Sequence, residues 1–294
     1  MTMAFVRLDP ECIRCLLKKH LNAAPESASK EACVSYMQRM LRLMAEASPF
    51  EGAPVLVSEI EALQKEMFGI VRDFSKEKKA FNELMLSLED SVWQKIVHAQ
   101  DPLYAAVQFA MIGNYIDFGA MDRVDEQTLN ALLEDSARFA PQREAYDAFR
   151  ADVQRAGKIV YLTDNCGEIV MDKLLLRQIH ALNPACDLTV ITRGAPVLND
   201  ATMEDALACG LDEHVLVTHN GSGIAGTCLG QISCEACEKI EAADMVIAKG
   251  QANFETLRRC GMNVYYIFLC KCELYAKRFG VPRLQGMLVR DANS

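Results

Sequence analysis

Three short stretches gather residue types that can bind a metal ion and hold an anion. "VYLTDNCGEIVMD" (160–172) sets Asp164 and Asn165 side by side where an apolar run stops. "VITRGAPVLNDAT" (190–202) sets Arg193 after a second such run, with Asn199 and Asp200 close behind. "VIAKGQANFE" (246–255) ends a third run in Lys249 and Gly250, followed by Gln251, Asn253 and Glu255. Asp164, Asn165 and Asp200 offer hard oxygen ligands, which suit Mg²⁺, Mn²⁺ or a related divalent ion that keeps some of its waters. Gly167 permits a tight turn, and a helix starting near Glu168 would aim free N–H groups at the same place, a ready anion site. Arg193 and Lys249 could neutralise non-bridging phosphate oxygens. A metal, a helix start and two cations together describe a phosphoryl group held for attack. Taken singly, each residue also reads as an N-cap, a turn or a surface ion pair. Their collection at three run ends is what points to a site.

The elements that must position these residues follow from the pattern after residue 156. "KIVYLTD", "DLTVITR", "HVLVTHN", "DMVIAKG" and "VYYIFLC" are short runs rich in Val, Ile and Tyr, and helix-like segments such as "EIVMDKLLLRQIHAL" and "ANFETLRRCG" lie between most of them. Strands alternating with helices predict an α/β fold with a mainly parallel sheet flanked by helices. In such sheets ligands bind outside the carboxyl ends of the strands, where the polar residues above collect. Residues 9–156 read instead as helix after helix. Asp9-Pro10-Glu11 is a helix start, with an N-cap acid and proline at the first helical position. Val34, Met37, Met40, Leu41 and Met44, then Ile60, Leu63, Met67 and Ile70, then Phe81, Leu84 and Leu88 recur at helical spacing and read as core. "PLYAAVQFAMIGNYIDFGA" is apolar nearly all round, as a buried helix would be. The expected organisation is an all-helical domain over 1–150 and an α/β domain over 151–294. No linker separates them, so the boundary is soft.

Composition excludes several classes. The 294 residues carry a net charge of −9, which argues against binding nucleic acid or an anionic membrane surface. No apolar stretch approaches the ~20 residues of a membrane span, and the N-terminus has no signal-peptide core. The twelve cysteines are spread through a long chain and read as thiols of a reducing, cytoplasmic setting. The sequence assigns no oligomeric state.

"TDNCGEIVMD", "RGAPVLNDAT" and "ADMVIAKGQANFETL" resemble, in order and spacing, the signature blocks of the metal-dependent damage-control phosphatases, the former domain of unknown function 89. "GNYIDFGA" (113–120) resembles a further block, and "CIRCLLKKHL" with "CKCELYAKRFG" resembles the branch carrying a CxxC and a Lys-Cys pair. The resemblance implies a helical N-terminal part packed against a Rossmann-like α/β domain. It also implies a divalent ion (Mn, Ni, Co or Mg) held by Asp164, Asn165 and Asp200, and a small phosphorylated metabolite, such as a sugar phosphate, as substrate. Lys249 matches the lysine beside the substrate phosphate. Glu168, Asn253 and Glu255 match polar positions of the same site. Asn114 and Asp117 of the helical block, with Arg193 and Gly250, complete the substrate side. The expected reaction is attack of a metal-polarised water on phosphorus, with Glu168, Asp172 or Glu255 handling a proton. Asp164 is then a ligand or, alternatively, a transient phosphoryl acceptor. Cys12, Cys15 and Cys272 are the positions of an auxiliary metal or structural thiol site.

Rival readings fit less well. "GSGIAG" (221–226) spells a dinucleotide fingerprint, but "TCLGQISCEAC" is a poor helix start after it, and Asp244 opens a strand instead of ending one. An S-adenosylmethionine-dependent carboxyl methyltransferase would carry a glycine-rich loop where this chain has "TDNCGE". A haloacid-dehalogenase-type phosphatase needs an aspartate where Cys166 stands. Cys234 and Cys237 read as free thiols. His20, His98, His180, His214 and His219 lack metal-binding spacing. A non-catalytic module binding a metal or phosphometabolite would show the same crevice.

Overall fold

Asp9 caps a helix that proline opens, and the fold begins there with α1 (Pro10–His20). The computed structural model describes residues 7–21, 23–116, 126–213 and 215–291. Six more helices precede the sheet: α2 (Lys30–Glu46), α3 (Ala53–Phe68), α4 (Ser75–Val97), α5 (Pro102–Gly113), α6 (Glu126–Glu134) and α7 (Arg143–Arg155). Then come β1 (Lys158–Leu162), α8 (Glu168–Leu182), β2 (Asp187–Thr192), α9 (Met203–Ala208), β3 (Leu216–His219) and α10 (Cys234–Glu241). The chain closes with β4 (Met245–Lys249), α11 (Gly250–Leu257), β5 (Val264–Leu269), α12 (Glu273–Phe279) and β6 (Gly286–Asp291). All five strand-like runs of the sequence are strands.

The sheet order is β3-β2-β1-β4-β5-β6. Every pairing is parallel except β5 with β6, and β6 is the one strand the pattern did not predict. β4 and β5 are buried along their whole length, which explains why they read as unbroken apolar runs without alternation. One core lies between a sheet face and helices α4–α8, and a second lies under α10–α12 on the other face. A third gathers Leu16, Tyr36, Met40, Met44, Leu56, Ile60 and Leu63 of α1–α3.

The helical half therefore divides between two cores. Residues of α4–α7 share the sheet's own core, and α5 packs on α8, α4, β5 and β6, so its whole circumference must be apolar. This is what brings the residues after α5 to the strand ends. After β3 the chain runs as bends through Gly221–Gly226, and the next α-helix starts only at Cys234, so no dinucleotide-type turn opens there. No helix among the described residues is long and apolar enough to cross a membrane.

Candidate active site

From β1 the chain moves outward to β2 and β3, and from β4 it moves the other way to β5 and β6. The carboxyl ends of β1 and β4 thus flank the switch point where open α/β sheets form their crevice. Asp164 and Asn165 follow β1, and Lys249 ends β4. The Asp200 loop joins them through a bridge between Asn165 and Asp200, and the Ala201 N–H donates to the Asp164 carbonyl at 2.7 Å.

All three expected metal ligands are buried and adjacent. Asp164 Oδ2 accepts from Asn165 Nδ2 at 2.7 Å and from Asn114 Nδ2 at 3.1 Å. Asn165 Nδ2 also donates to Glu168 Oε2 at 2.8 Å. With its amide nitrogen turned to two carboxylates, Asn165 keeps Oδ1 as its remaining polar side-chain atom. Arg193 Nε donates to Asp200 Oδ2 at 2.7 Å, and its Nη2 lies 3.7 Å from Asp164 Oδ1. Two carboxylates from different loops therefore converge on one guanidinium. Gly250, with φ +78°, passes so close that a Cβ there would collide with the Asp164 carboxylate. Only glycine fits.

Behind this layer Lys249 is fully buried, and its Nζ donates to Asp172 Oδ1 at 2.6 Å, Glu168 Oε1 at 2.7 Å and the Ala110 carbonyl at 2.8 Å. All three ammonium hydrogens are engaged, so in this arrangement Lys249 neutralises the two acids. Burial pushes the Asp172 carboxyl up, to about 7, while Lys249 opposes the rise and Glu168 adds to it. Burial lowers Lys249, but Asp172 and Glu168 outweigh it and the net shift is upward. The buried Tyr161 hydroxyl stands beside Asp172 and favours its charged form, a smaller effect than burial.

Other expected site residues have partners within the protein. The first turn of α8 is partly covered. The Gly167 N–H donates to Asn82 Oδ1 at 2.5 Å, Ile169 to the Asn165 carbonyl and Val170 to the Gly167 carbonyl. Asn253 gives its amide hydrogens to the carbonyls of Lys249 and Thr163 and accepts from the Thr227 hydroxyl, so it ties strand ends together. Asn114 supports Asp164 and Glu168 and accepts from the Leu269 N–H. Asp117 and His214 lie outside the described residues.

Glu255 lies in α11, one turn after Gln251. It accepts from Gln251 Nε2 at 2.8 Å, and its charge helps to raise the thiols of Cys12 and Cys272, though burial is the larger cause in both. Cys15 also bears on Cys272. The three cysteines are thus neighbours. As placed, however, no group of three or more His, Cys, Asp or Glu among the described residues is gathered closely enough to hold a metal ion. Asn82 is the supporting residue that sequence reasoning missed. Its signal was a polar side chain three positions before Met85, inside the buried stripe of α4.

A family model for the damage-control phosphatase ARMT1-like domain matches residues 8–286. A damage-control phosphatase of Archaeoglobus fulgidus is 29% identical over 285 residues, 94% of this chain and 96% of the relative. A second, from Pyrococcus horikoshii, is 28% identical over 290 residues, 97% of each chain. Among solved structures, a DUF89 family protein from Pyrococcus horikoshii superimposes with a TM-score of 0.78 at 25% identity, covering 96% of this chain and 98% of that one. With its Rossmann-like sheet order and the acid–amide pair at the switch point, the chain belongs to the damage-control phosphatase ARMT1-like family.

Proposed function

We propose that the protein is a metal-dependent phosphatase that hydrolyses phosphomonoesters of small metabolites, sugar phosphates among them, in metabolite damage control. The observation that carries the reading is the convergence of Asp164 and Asp200, with Asn165 between them, at the β1/β4 switch point. The names of the relatives from Archaeoglobus and Pyrococcus support the phosphatase class.

The donor set fits a divalent ion. Four buried carboxylates (Asp164, Glu168, Asp172 and Asp200) meet two buried cations (Arg193 and Lys249), which leaves two negative charges when all are ionised. Asp164, Asn165 and Asp200 would hold the ion through hard oxygens, a set suited to Mg²⁺, Mn²⁺, Co²⁺ or Ni²⁺. A bound divalent ion supplies Lewis-acid polarisation and a more acidic water. The chain's own residues supply the rest. Arg193 brings a cationic donor to the side of Asp164 and Asp200. Glu168 and Asp172, ordered by Lys249, form a buried acid pair able to hold a proton. Asn114 and Gly250 fix the Asp164 carboxylate.

The test is hydrolysis of para-nitrophenyl phosphate by metal-stripped protein refilled with Mg²⁺, Mn²⁺, Co²⁺ or Ni²⁺, run beside Asp164→Ala. Metal-dependent turnover that vanishes in the variant is expected. Folded, metal-loaded protein that turns over neither this ester nor any of a sugar phosphate panel would overturn the reading, and an S-adenosylmethionine titration would follow.

A further inference from the structure

The loop after β3 carries a polar side chain that the reaction described above does not use. Asn220 is 1% exposed. Its backbone is tied on both sides: its N–H donates to the Thr192 carbonyl at 2.9 Å, and its carbonyl accepts from the Ser233 N–H at 2.8 Å. Its side-chain oxygen accepts twice, from the Gly194 N–H at 3.0 Å and the Ser222 N–H at 2.9 Å. Two N–H donors on one atom settle which end of the amide is oxygen. Nδ2 therefore faces the other way, and it is buried with no acceptor among the described residues.

An unmatched buried donor costs about 1–3 kcal/mol, so a fold keeps one where something else supplies the acceptor. Position says what that is. Asn220 follows the carboxyl end of β3, on the same sheet edge as Asp164, and its oxygen is anchored to the residue after Arg193. Arg193 is itself 1% exposed, and its Nη2, 3.7 Å from Asp164 Oδ1, makes no hydrogen bond among the described residues. Two buried N–H donors without a hydrogen bond among the described residues thus follow neighbouring strand ends, β2 and β3. Strands are spaced about 4.8 Å apart, which puts the β3 end roughly 10 Å from the β1 end. A phosphoryl group at Asp164 and Asp200 leaves Asn220 too far to touch it, at a distance suited to the part of the substrate that does not react.

We propose that Asn220 is a specificity-determining residue, whose amide donates to a hydroxyl or carbonyl oxygen on the non-reacting body of the substrate and so selects oxygen-rich phosphomonoesters over apolar ones. The inference rests on the phosphatase reading of the crevice.

Asn220→Asp tests it, because a carboxylate still accepts from Gly194 and Ser222 but offers no N–H. The probes are ribose 5-phosphate and glucose 6-phosphate as oxygen-rich esters, with para-nitrophenyl phosphate as the ester without hydroxyls. The variant is expected to lose about 10- to 100-fold in kcat/KM on the better sugar phosphate and to stay within about threefold on the aryl ester. Asn220→Ser, which keeps a small acceptor that can also donate, should recover part of the loss. Equal losses on both esters, or no loss on either, would overturn the proposal and leave the phosphatase reading intact. If wild type hydrolyses none of the three and none of the wider sugar phosphate panel, that reading fails instead. Calorimetric binding of the sugar phosphates then decides on Asn220: about tenfold weaker binding by Asn220→Asp supports it, and equal or absent binding overturns it.

Discussion

Around the ends of β1 and β4, four carboxylates, a lysine and an arginine are buried together, whereas the α1–α3 core buries the neutral polar trio His20, Gln64 and Tyr36. Both regions satisfy most of their polar groups, but at different expense. Desolvating an ion costs several kcal/mol that only close partners repay, and an apolar replacement of an ion pair is often as stable. A neutral hydrogen-bonded trio carries no such charge penalty. Stability alone gives no reason to bury six charges at one strand edge. Their placement at the switch point gives a chemical reason, and each region should therefore fail in its own way when cut.

Lys249→Met should show the largest effect. It leaves Glu168 and Asp172 buried without their counter-ion, and breaking such a pair costs about 3–5 kcal/mol. Urea denaturation would measure it. The triple variant Lys249→Met, Glu168→Gln, Asp172→Asn should recover a large part of the stability while remaining inactive. A triple variant no more stable than the single one would show that the charges are not what Lys249 balances.

Asp164→Asn separates chemistry from folding. It removes one charge from an acid-rich layer while keeping the side chain's shape, and because the new amide N–H₂ must face either Arg193 or the Asn114 and Asn165 donors, stability should fall by only about 1–3 kcal/mol. Turnover should fall about 10³-fold or more, equivalent to about 4 kcal/mol in the barrier. Steady-state assays with the metal-loaded protein would check it. Activity within tenfold of wild type would remove Asp164 from the reaction.

The contrast also bears on how much the sequence discloses. The five parallel strands, α8, α11 and the apolar α5 were legible because short β-branched apolar runs alternate with helix-like segments and each run is bounded by polar residues. The adjacency of Asp164, Asn165 and Asp200 was legible because polar residues at the carboxyl ends of parallel strands gather at one crevice. What the sequence did not disclose was each residue's partners within the protein. Lys249 is engaged by Ala110, Glu168 and Asp172. At the first turn of α8, Asn82 covers the Gly167 N–H from 85 residues away in the chain. Glu255 also bears on Cys12 and Cys272, which lie far from it in the chain. Contacts between distant segments leave no local periodicity, so spacing could not have shown them.

In the neutral region the expected effect depends on pH. Burial, with smaller contributions from Lys19 and Arg72, lowers His20 to about 4. The unfolded chain therefore takes up the proton first. The stability from a neutral His20 is complete above pH about 6.5 and is lost as pH falls toward 4, by up to about 3 kcal/mol. His20→Gln should flatten that part of the acid limb. Urea midpoints of both proteins at pH 7.5 and 4.5 measure it, and an unchanged difference between the two pH values would refute it.

Gln64→Met gives the smallest expected effect and says why the trio tolerates no charge. Gln64 Nε2 lies 3.0 Å from His20 Nδ1 and donates to the Tyr36 hydroxyl at 2.9 Å. Since Gln64 presents an N–H, His20 Nδ1 must be the acceptor, and a proton on it would face another donor. Methionine keeps the volume and removes the donor, at about 1–2 kcal/mol for the two groups left unmatched. It also removes the clash that protonation would create. The His20 pKa should then rise toward its ordinary value, and the acid-sensitive window should narrow from its lower end. NMR titration of the His20 ring in both proteins would test this. A pKa that stays near 4 would assign the whole shift to burial and make the hydrogen bond incidental.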